Sequence, residues 1–170
     1  MTTEMLLTEA AVRHVLLQYC RGIDRMDQAL VRSCYHDDAV DTHGSFEGGV
    51  DEFLDWVWKL LGKYDGTMHF LGNMLVEVDP TDSRVALAET YGIAHHWSIN
   101  PDPKRNLVTG FRYVDRFELR GQEEGWRIAR RVATTEWVRV DRHEDRWPVP
   151  PHLLQGRRDR DDVVYRIRDL

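Results

Sequence analysis

The sequence predicts an α+β domain in which three N-terminal helices pack in the concave face of a strongly curved, mainly antiparallel sheet. Before about residue 65, apolar residues recur at the three- and four-residue spacing of a helical face, and from Gly66 onward they alternate as in strands. The connections between the predicted strands are short and rich in turn residues, which favours an antiparallel meander. Because the strands are long, the sheet must bend. We therefore expect a cone-shaped α+β barrel over residues 1–140 and an extended C-terminal arm over residues 141–170.

The first helix is predicted to begin at the N-cap residue Thr8 and to end near Met26. Its buried face is formed by Val12, Val15, Leu16, Tyr19, Cys20 and Ile23. Asp24 lies beside that apolar face. Its carboxylate is therefore either directed into the interior, where an unpaired charge is costly, or exposed at the helix end. The spacing alone leaves both interpretations open.

Two more helices precede the sheet. The second is capped by Asp27, and its apolar pattern breaks at His36-Asp37-Asp38. A brief strand is expected over Val40–His43, followed by a glycine-rich turn. The third helix is predicted over Val50–Tyr64. Its apolar face is formed by Phe53, Leu54, Val57, Leu60 and Leu61.

Four long strands complete the predicted domain. They are Thr67–Val78, Arg84–Trp97, Leu107–Leu119 and Trp126–Val138. In the first of them, alternation places His69 and Leu75 on one face and Phe70 and Met74 on the other. Both faces are partly apolar, as in a sheet that is covered by helices on one side and by a second subunit on the other. A homo-oligomer, either a dimer or a trimer, is therefore expected.

The segment after Asp141 has a different character. Trp147-Pro148-Val149-Pro150-Pro151 cannot form a central strand, and residues 157–162 alternate in charge. This segment is expected to be an arm that packs on its own domain or on a neighbouring subunit.

Composition narrows the classes of partner. The 170 residues are 42% hydrophobic and 31% charged, as expected of one globular domain, and the net charge is −6. Basic and acidic residues are interleaved, so nucleic acid is not an expected partner. No apolar run is long enough to cross a bilayer, which predicts a soluble, cytoplasmic protein. Cys20 and Cys34 show neither disulfide nor metal spacing and are expected to be reduced.

Acid–base side chains are the remaining candidates for chemistry. The sequence has no HxH, HExxH, CxxC, GxSxG, GxGxxG or phosphate-loop motif, so neither a metal nor a cofactor is expected. The candidates are Asp24, His69, Tyr19, Tyr91, Tyr113 and Arg130 or Arg131. From its pattern alone, His69 is better explained as a core residue or an exposed residue without a chemical role. Alternation sends His95 and His96 to opposite faces, so at most one faces a cavity, and no role is assigned to His43.

Four short patterns carry a resemblance to a known family. They are Tyr19-x-x-x-x-Asp24-x-x-Asp27, Met68-His69-x-x-Gly72-Asn73, Tyr113-x-Asp115-x-Phe117-Glu118 and Gly125-Trp126-x-Ile128-x-Arg130-Arg131. In this order, over about Leu6 to Val140, the chain resembles the SnoaL-like branch of the nuclear-transport-factor-2-like superfamily. Within that branch it is similar to the cofactor-free dehydratases and dehydrochlorinases, such as bile-acid 7α-dehydratase, scytalone dehydratase and hexachlorocyclohexane dehydrochlorinase.

The resemblance implies a dehydratase-type lyase that works without a cofactor. In it, Asp24 would orient His69 as the base, and Tyr19 would bind a substrate carbonyl or protonate a departing hydroxyl. Arg131, carried over by position, would stabilise developing negative charge, although alternation does not decide between Arg130 and Arg131. The implied substrate is small, hydrophobic and steroid- or polyketide-like.

The predicted wall of the substrate site consists of aromatic and aliphatic residues, each of which core packing would also explain. They are Phe53, Trp56, Leu71, Tyr91, Trp97, Phe111 and Tyr113. The same fold also serves other functions, so two alternatives stay open. One is a non-catalytic small-molecule binding protein or scaffold subunit, and the other is an isomerase or cyclase that uses the same Asp–His pair.

Overall fold

A computed structural model describes residues 2–100, 106–121 and 125–167 of the chain; residue 1 and the last three residues of the predicted arm lie outside the described residues. The helices are α1 (Thr3–Asp24), α2 (Gln28–Ser33), α3 (Val50–Leu61) and α4 (Val163–Arg166). The strands are β1 (Tyr35–His43), β2 (Phe46–Gly49), β3 (Gly66–Val78), β4 (Val85–Trp97), β5 (Leu107–Leu119) and β6 (Trp126–Val140). None of the described helices is both long and apolar enough to cross a membrane.

The six strands form one curled sheet in the order β2-β1-β6-β5-β4-β3. All neighbouring strands are antiparallel except β1 and β6, which are parallel. The sheet is curled but not closed. Since α1 packs on β3, β4 and β6 while α3 packs on β1 and β2, the helices lie against the sheet as the α+β prediction requires. The predicted fold class is confirmed.

The first two helices meet at a tight junction. The helix α1 begins earlier than predicted, because the hydroxyl of Thr2, not that of Thr8, caps it by accepting from the N–H of Met5. Asp27 caps α2 as predicted and accepts from the N–H of Leu30 at 3.2 Å. A Cβ on Gly22 would lie 2.6 Å from the Val31 side chain, so a glycine lets the two helices approach.

The strand β1 is longer than predicted, and β2 was missed. The polar stretch His36-Asp37-Asp38 was expected to interrupt regular structure, yet it belongs to β1. The glycine-rich turn was likewise expected in place of β2. The pairing with β6 covers Tyr35 and Val40–His43 and shifts register between Tyr35 and Val40, so the polar stretch lies at an irregularity within the strand.

An irregularity in β3 changes which side chains face inward. The register with β4 shifts between Leu71 and Met74, as at a β-bulge. One added residue reverses the alternation, so the prediction that Leu75 shares a face with His69 was wrong. Leu75 is instead 57% exposed on the convex face, whereas Met74 packs against the core.

The C-terminal residues 157–165 contact the end of α1 in the same chain. Asp162 pairs with Arg25 at 3.3 Å, and Arg160 pairs with Asp27 at 3.0 Å. Arg158 donates to the carbonyl of Leu61 and lies 3.0 Å from the sulfur of Met26. This part of the predicted arm therefore borders the junction that carries Asp24.

Candidate active site

An aspartate from α1 and a histidine from β3 form a buried hydrogen-bonded pair. The Oδ1 atom of Asp24 lies 2.7 Å from Nδ1 of His69, and its Oδ2 atom accepts the backbone N–H of the same histidine at 2.9 Å. The two side chains are only 11% and 8% exposed. Because a carboxylate can only accept, Nδ1 is the protonated nitrogen and Nε2 retains its lone pair. The two hydrogen bonds hold the imidazole in one tautomer and one orientation.

The His69 ring lies in the wall of a cavity of about 330 Å³ between the helices and the concave face of the sheet. The wall is mainly aromatic and aliphatic, with a few hydroxyl groups and imidazoles. Its residues are Tyr19, Ile23, His43, Gly44, Ser45, Trp56, Val57, Leu60, Leu61, His69, Ala94, His96, Thr109, Phe111, Tyr113, Ala133, Thr134 and Thr135. A largely apolar cavity with a few convergent polar groups is the usual form of a small-molecule site.

A second hollow of similar size, about 360 Å³, lies on the convex face of the sheet. It is lined by Leu75, Glu77, Leu87, Ala88, Glu89, Val114, Asp115, Arg116, Arg130 and Val132. None of these described residues is a histidine or a tyrosine, and the Asp24–His69 pair does not reach it. The cavity on the concave face is therefore the candidate active site.

Four of the residues predicted for the site line this cavity together with His69. They are Tyr19, Trp56, Phe111 and Tyr113. The aromatic rings form a continuous floor, since Phe111 lies 6.0 Å from the His69 ring and 4.5 Å from the Tyr113 ring. His69, the predicted base, and Tyr19, a predicted hydrogen-bond donor, thus line the same cavity as three of the predicted wall residues.

The other predicted wall residues lie elsewhere. Phe53 is fully buried and stacks behind His43 at 5.6 Å, and Leu71 packs against the core without reaching the cavity. Tyr91 is 42% exposed on the convex face, because alternation along β4 directs its even-numbered neighbours inward. Trp97 lies on that same side and covers Gly66. Strand parity on β4, which was not resolved in the sequence, separates Tyr91 and Trp97 from the cavity.

Arg131, and not Arg130, is directed inward. It is completely buried, and its guanidinium forms two parallel hydrogen bonds of 2.8 Å with Asp115. The guanidinium lies 4.2 Å from the centre of the Tyr19 ring and 4.0 Å from that of Tyr113. The predicted direct role for Arg131 on developing charge therefore needs correction. The arginine lies behind the tyrosines that line the cavity.

The buried tyrosines remain neutral hydrogen-bond donors. Burial raises the pKa of Tyr19 above its ordinary value, although Arg131 opposes that rise. Burial likewise raises the pKa of Tyr113. Since neither phenol ionises at physiological pH, the Tyr19 hydroxyl is suited to donate to an oxygen that becomes negatively charged.

Two further imidazoles in the cavity wall had no role in the sequence analysis. The His96 ring lies 5.9 Å from that of His69, and its Nδ1 atom has no hydrogen-bond partner among the described residues. Burial, and next the neighbouring His69, lower the pKa of His96 to about 3, so this ring is neutral. His43 lines the opposite part of the cavity and packs between Phe53 and Tyr113. Alternation had limited His95 and His96 to one inward ring, but the sequence did not show which strand face is concave.

The described residues contain no group of three or more His, Cys, Asp or Glu that could hold a metal ion. The chemical groups that the cavity offers are thus imidazoles, one of them fixed by a carboxylate, together with phenol and alcohol hydroxyls.

Comparison with known proteins bears on the fold and the family. A model of the SnoaL-like domain matches residues 4–132. A scytalone dehydratase-like protein from Novosphingobium aromaticivorans DSM 12444 has a TM-score of 0.72 at 17% identity, with 91% of this chain and 100% of that chain covered. The hexachlorocyclohexane dehydrochlorinase LinA-type3 from Novosphingobium barchaimii LL02 has a TM-score of 0.71 at 16% identity, with 87% and 98% covered. No functionally curated protein matches by sequence.

Proposed function

The chain belongs to the SnoaL-like domain family, and from this premise we propose that it is a cofactor-independent lyase that removes water from a small, hydrophobic β-hydroxy ketone. One observation carries the proposal. The Nδ1 atom of His69 lies 2.7 Å from a buried Asp24 carboxylate in the wall of an aromatic cavity. An imidazole held in this way presents a basic nitrogen to a bound substrate.

The two residues have complementary tasks in the proposed reaction. Nε2 of His69 removes a proton from the carbon next to the substrate carbonyl, and Asp24 stabilises the imidazolium that results. The neutral Tyr19 hydroxyl donates a hydrogen bond to the carbonyl oxygen as negative charge develops there. Loss of the β-hydroxyl group as water then forms the carbon–carbon double bond.

Two further facts support elimination as the reaction. Proteins of similar fold include one related to a dehydratase and one that is a dehydrochlorinase, and both names denote elimination reactions. The cavity is also of the size that encloses a flat two-ring molecule. A substrate that aromatises on losing water would match its aromatic wall.

The test uses β-hydroxy-α-tetralone, which becomes the fluorescent α-naphthol when it loses water. We expect the wild-type protein to accelerate this dehydration and His69→Gln to lower kcat by roughly 100-fold or more, the usual contribution of a general base. His95→Gln is the matched control, because this neighbour of His96 lies on the other face of the same strand. Its activity should equal that of the wild type.

Three outcomes would contradict the proposal. If His69→Gln were as active as the wild type, His69 would not be the base. If the ketone bound in the cavity without acceleration, the protein would be a binding protein. Deuterium uptake from heavy water at the carbon beside the carbonyl, with no loss of water, would instead indicate an isomerase that uses the same pair.

A further inference from the structure

The cavity contains a second carboxylate–imidazole pair on β1, far along the sheet from His69. Nδ1 of His43 lies 3.4 Å from Oδ1 of Asp41. Asp41 is completely buried, whereas the His43 ring is 27% exposed and lines the cavity. Neither atom is hydrogen-bonded among the described residues, either to the other or to a third group, and the 3.4 Å between them is an ion-pair distance. They are therefore each other's available partner.

The hydrogen bonds around Asp41 show that it is an acceptor. The guanidinium of Arg131 donates to the Tyr35 hydroxyl at 3.3 Å, so this hydroxyl uses its own proton towards Oδ2 of Asp41 at 2.7 Å. Oδ1 faces His43. An ionised carboxylate accepts at both oxygens, and Nδ1 of His43 lies within ion-pair distance of Oδ1 without being hydrogen-bonded to it in this structure.

Charge balance then assigns a proton to His43. Asp41 and Asp115 are both buried beside Arg131, whose guanidinium is engaged by both oxygens of Asp115. Two carboxylates against one guanidinium leave one uncompensated negative charge, which is costly in the interior. A protonated His43 supplies the missing positive charge.

Among the described residues that face His43, the cation is Arg131, and both oxygens of Asp115 already engage its guanidinium. Asp41 comes from β1, Arg131 from β6, and Tyr113 with Asp115 from β5. The helix α3 contributes only aromatic rings, Phe53 and Trp56.

The Asp24–His69 pair is balanced differently. Asp24 accepts a backbone N–H as well as the imidazole proton. The cationic Arg158 lies within its electrostatic range: burial lowers the pKa of this arginine, and Asp24 opposes that effect. Asp24 is therefore stabilised by a backbone N–H and by a nearby cation in addition to the imidazole.

We propose that His43, positioned by Asp41, is the general acid that protonates the leaving group, so that one imidazole of the cavity accepts a proton and another donates one. This inference rests on the proposed elimination. His69 takes the proton from carbon, and the released electron pair forms the double bond. The carbon–oxygen bond breaks, its electron pair stays on oxygen, and Nε2 of His43 donates the proton that completes water. Solvent then returns a proton from His69 to His43.

The first test varies the need for an acid. The probes are β-phenoxy-α-tetralone and β-(p-nitrophenoxy)-α-tetralone, which have similar shapes but release a strongly and a weakly basic oxygen anion. We expect His43→Gln to slow the phenoxy compound by roughly 100-fold or more and the nitrophenoxy compound by only a few-fold, because p-nitrophenolate leaves without a proton. His69→Gln should slow both equally, and His95→Gln neither.

The outcomes separate the two proposals. If His43→Gln slowed both compounds equally, His43 would be a structural residue and the inference would fail while the lyase proposal stood. If the wild type accelerated neither these compounds nor the smaller β-hydroxy-α-tetralone and His69→Gln changed nothing, the proposed function itself would fail.

The second test needs no substrate. In the nitrogen-15 NMR spectrum at neutral pH, we expect both ring nitrogens of His43 to carry protons, with Nε2 of His69 unprotonated. The His43 signals are identified by their loss in His43→Gln, and Asp41→Asn should return this ring to the neutral form. A neutral His43 ring in the wild-type spectrum would overturn the assignment, whatever the catalytic result.

Discussion

Asp24 and Asp115 are both buried carboxylates near Tyr19, but their partners differ. Asp24 is paired with an imidazole that lines the cavity, and Asp115 with a guanidinium that is completely enclosed. The imidazole can gain and lose a proton near neutral pH, whereas the guanidinium cannot. The same burial therefore accompanies the proposed reactive pair in one place and a rigid support in the other. Substitutions should separate the two roles.

The largest effect is expected on activity when the reactive pair is altered. In Asp24→Asn, the amide accepts the backbone N–H of His69 with its oxygen and faces Nδ1 with its NH₂ group, so the ring proton moves to Nε2 and the base is lost. We expect kcat for β-hydroxy-α-tetralone to fall by roughly a thousandfold, within the range of general acid–base contributions. Unchanged kcat in a folded Asp24→Asn protein would show that the tautomer is irrelevant.

The next effect is on stability, when the enclosed pair is broken. Asp115→Asn leaves the Arg131 charge buried without its carboxylate, which should lower the free energy of unfolding by about 3–5 kcal/mol in urea titrations. The control is Glu118→Gln, which removes a carboxylate that pairs with Arg116 and Arg120 at the surface and should cost at most about 1 kcal/mol. Equal costs for the two variants would mean that burial does not distinguish these ion pairs.

The smallest effect is expected for His96, an imidazole that pairs with no carboxylate in the described part of the chain. The pKa of His96 is lowered to about 3 in the folded protein, against an ordinary value of 6.5. Below pH 6.5 the unfolded chain therefore binds a proton that the folded chain does not, so stability falls as the pH falls. Between pH 6.5 and pH 5 this loss is about 2 kcal/mol. Above pH 6.5 both states are neutral at this residue, and the contribution disappears.

Urea titrations of the wild type and His96→Gln at both pH values measure this loss. The variant should lack the part of the pH dependence that comes from His96. If the free energy of unfolding fell by the same amount in both proteins between pH 6.5 and pH 5, the His96 ring would be protonated in the folded state as readily as in the unfolded state.

The fold was predictable because helical spacing and alternation are local patterns. Asp24 could be identified as a candidate site residue for the same reason, because it adjoins an apolar helix face. His69 is 45 residues away, and no local pattern links the two, so their pairing was predicted only through the family resemblance. In the described residues the two side chains lie in hydrogen-bond contact.

What the sequence analysis missed depends on register and on distant strands. The bulge after Leu71 reversed the faces of β3, and the inward side of β4 could not be known before its neighbours were placed. Asp41 and His43 lie in a polar stretch where only a brief strand was expected. Their significance depends on Arg131, which the parallel pairing of β1 with β6 places directly opposite Asp41.

That parallel pairing also sets the order in which the protein can mature during synthesis. Asp41 leaves the ribosome long before Arg131, its partner across the sheet, has been translated. Before Arg131 is added, burial of Asp41 and Asp115 would leave both carboxylates without an enclosed cation. We therefore expect this side of the domain to stay exposed to water in the nascent chain. Arg158, which contacts Met26 across 132 residues, arrives later still. An incomplete chain would therefore lack the cavity, and premature termination anywhere before β6 should yield a product that proteases clear, not a partly active enzyme.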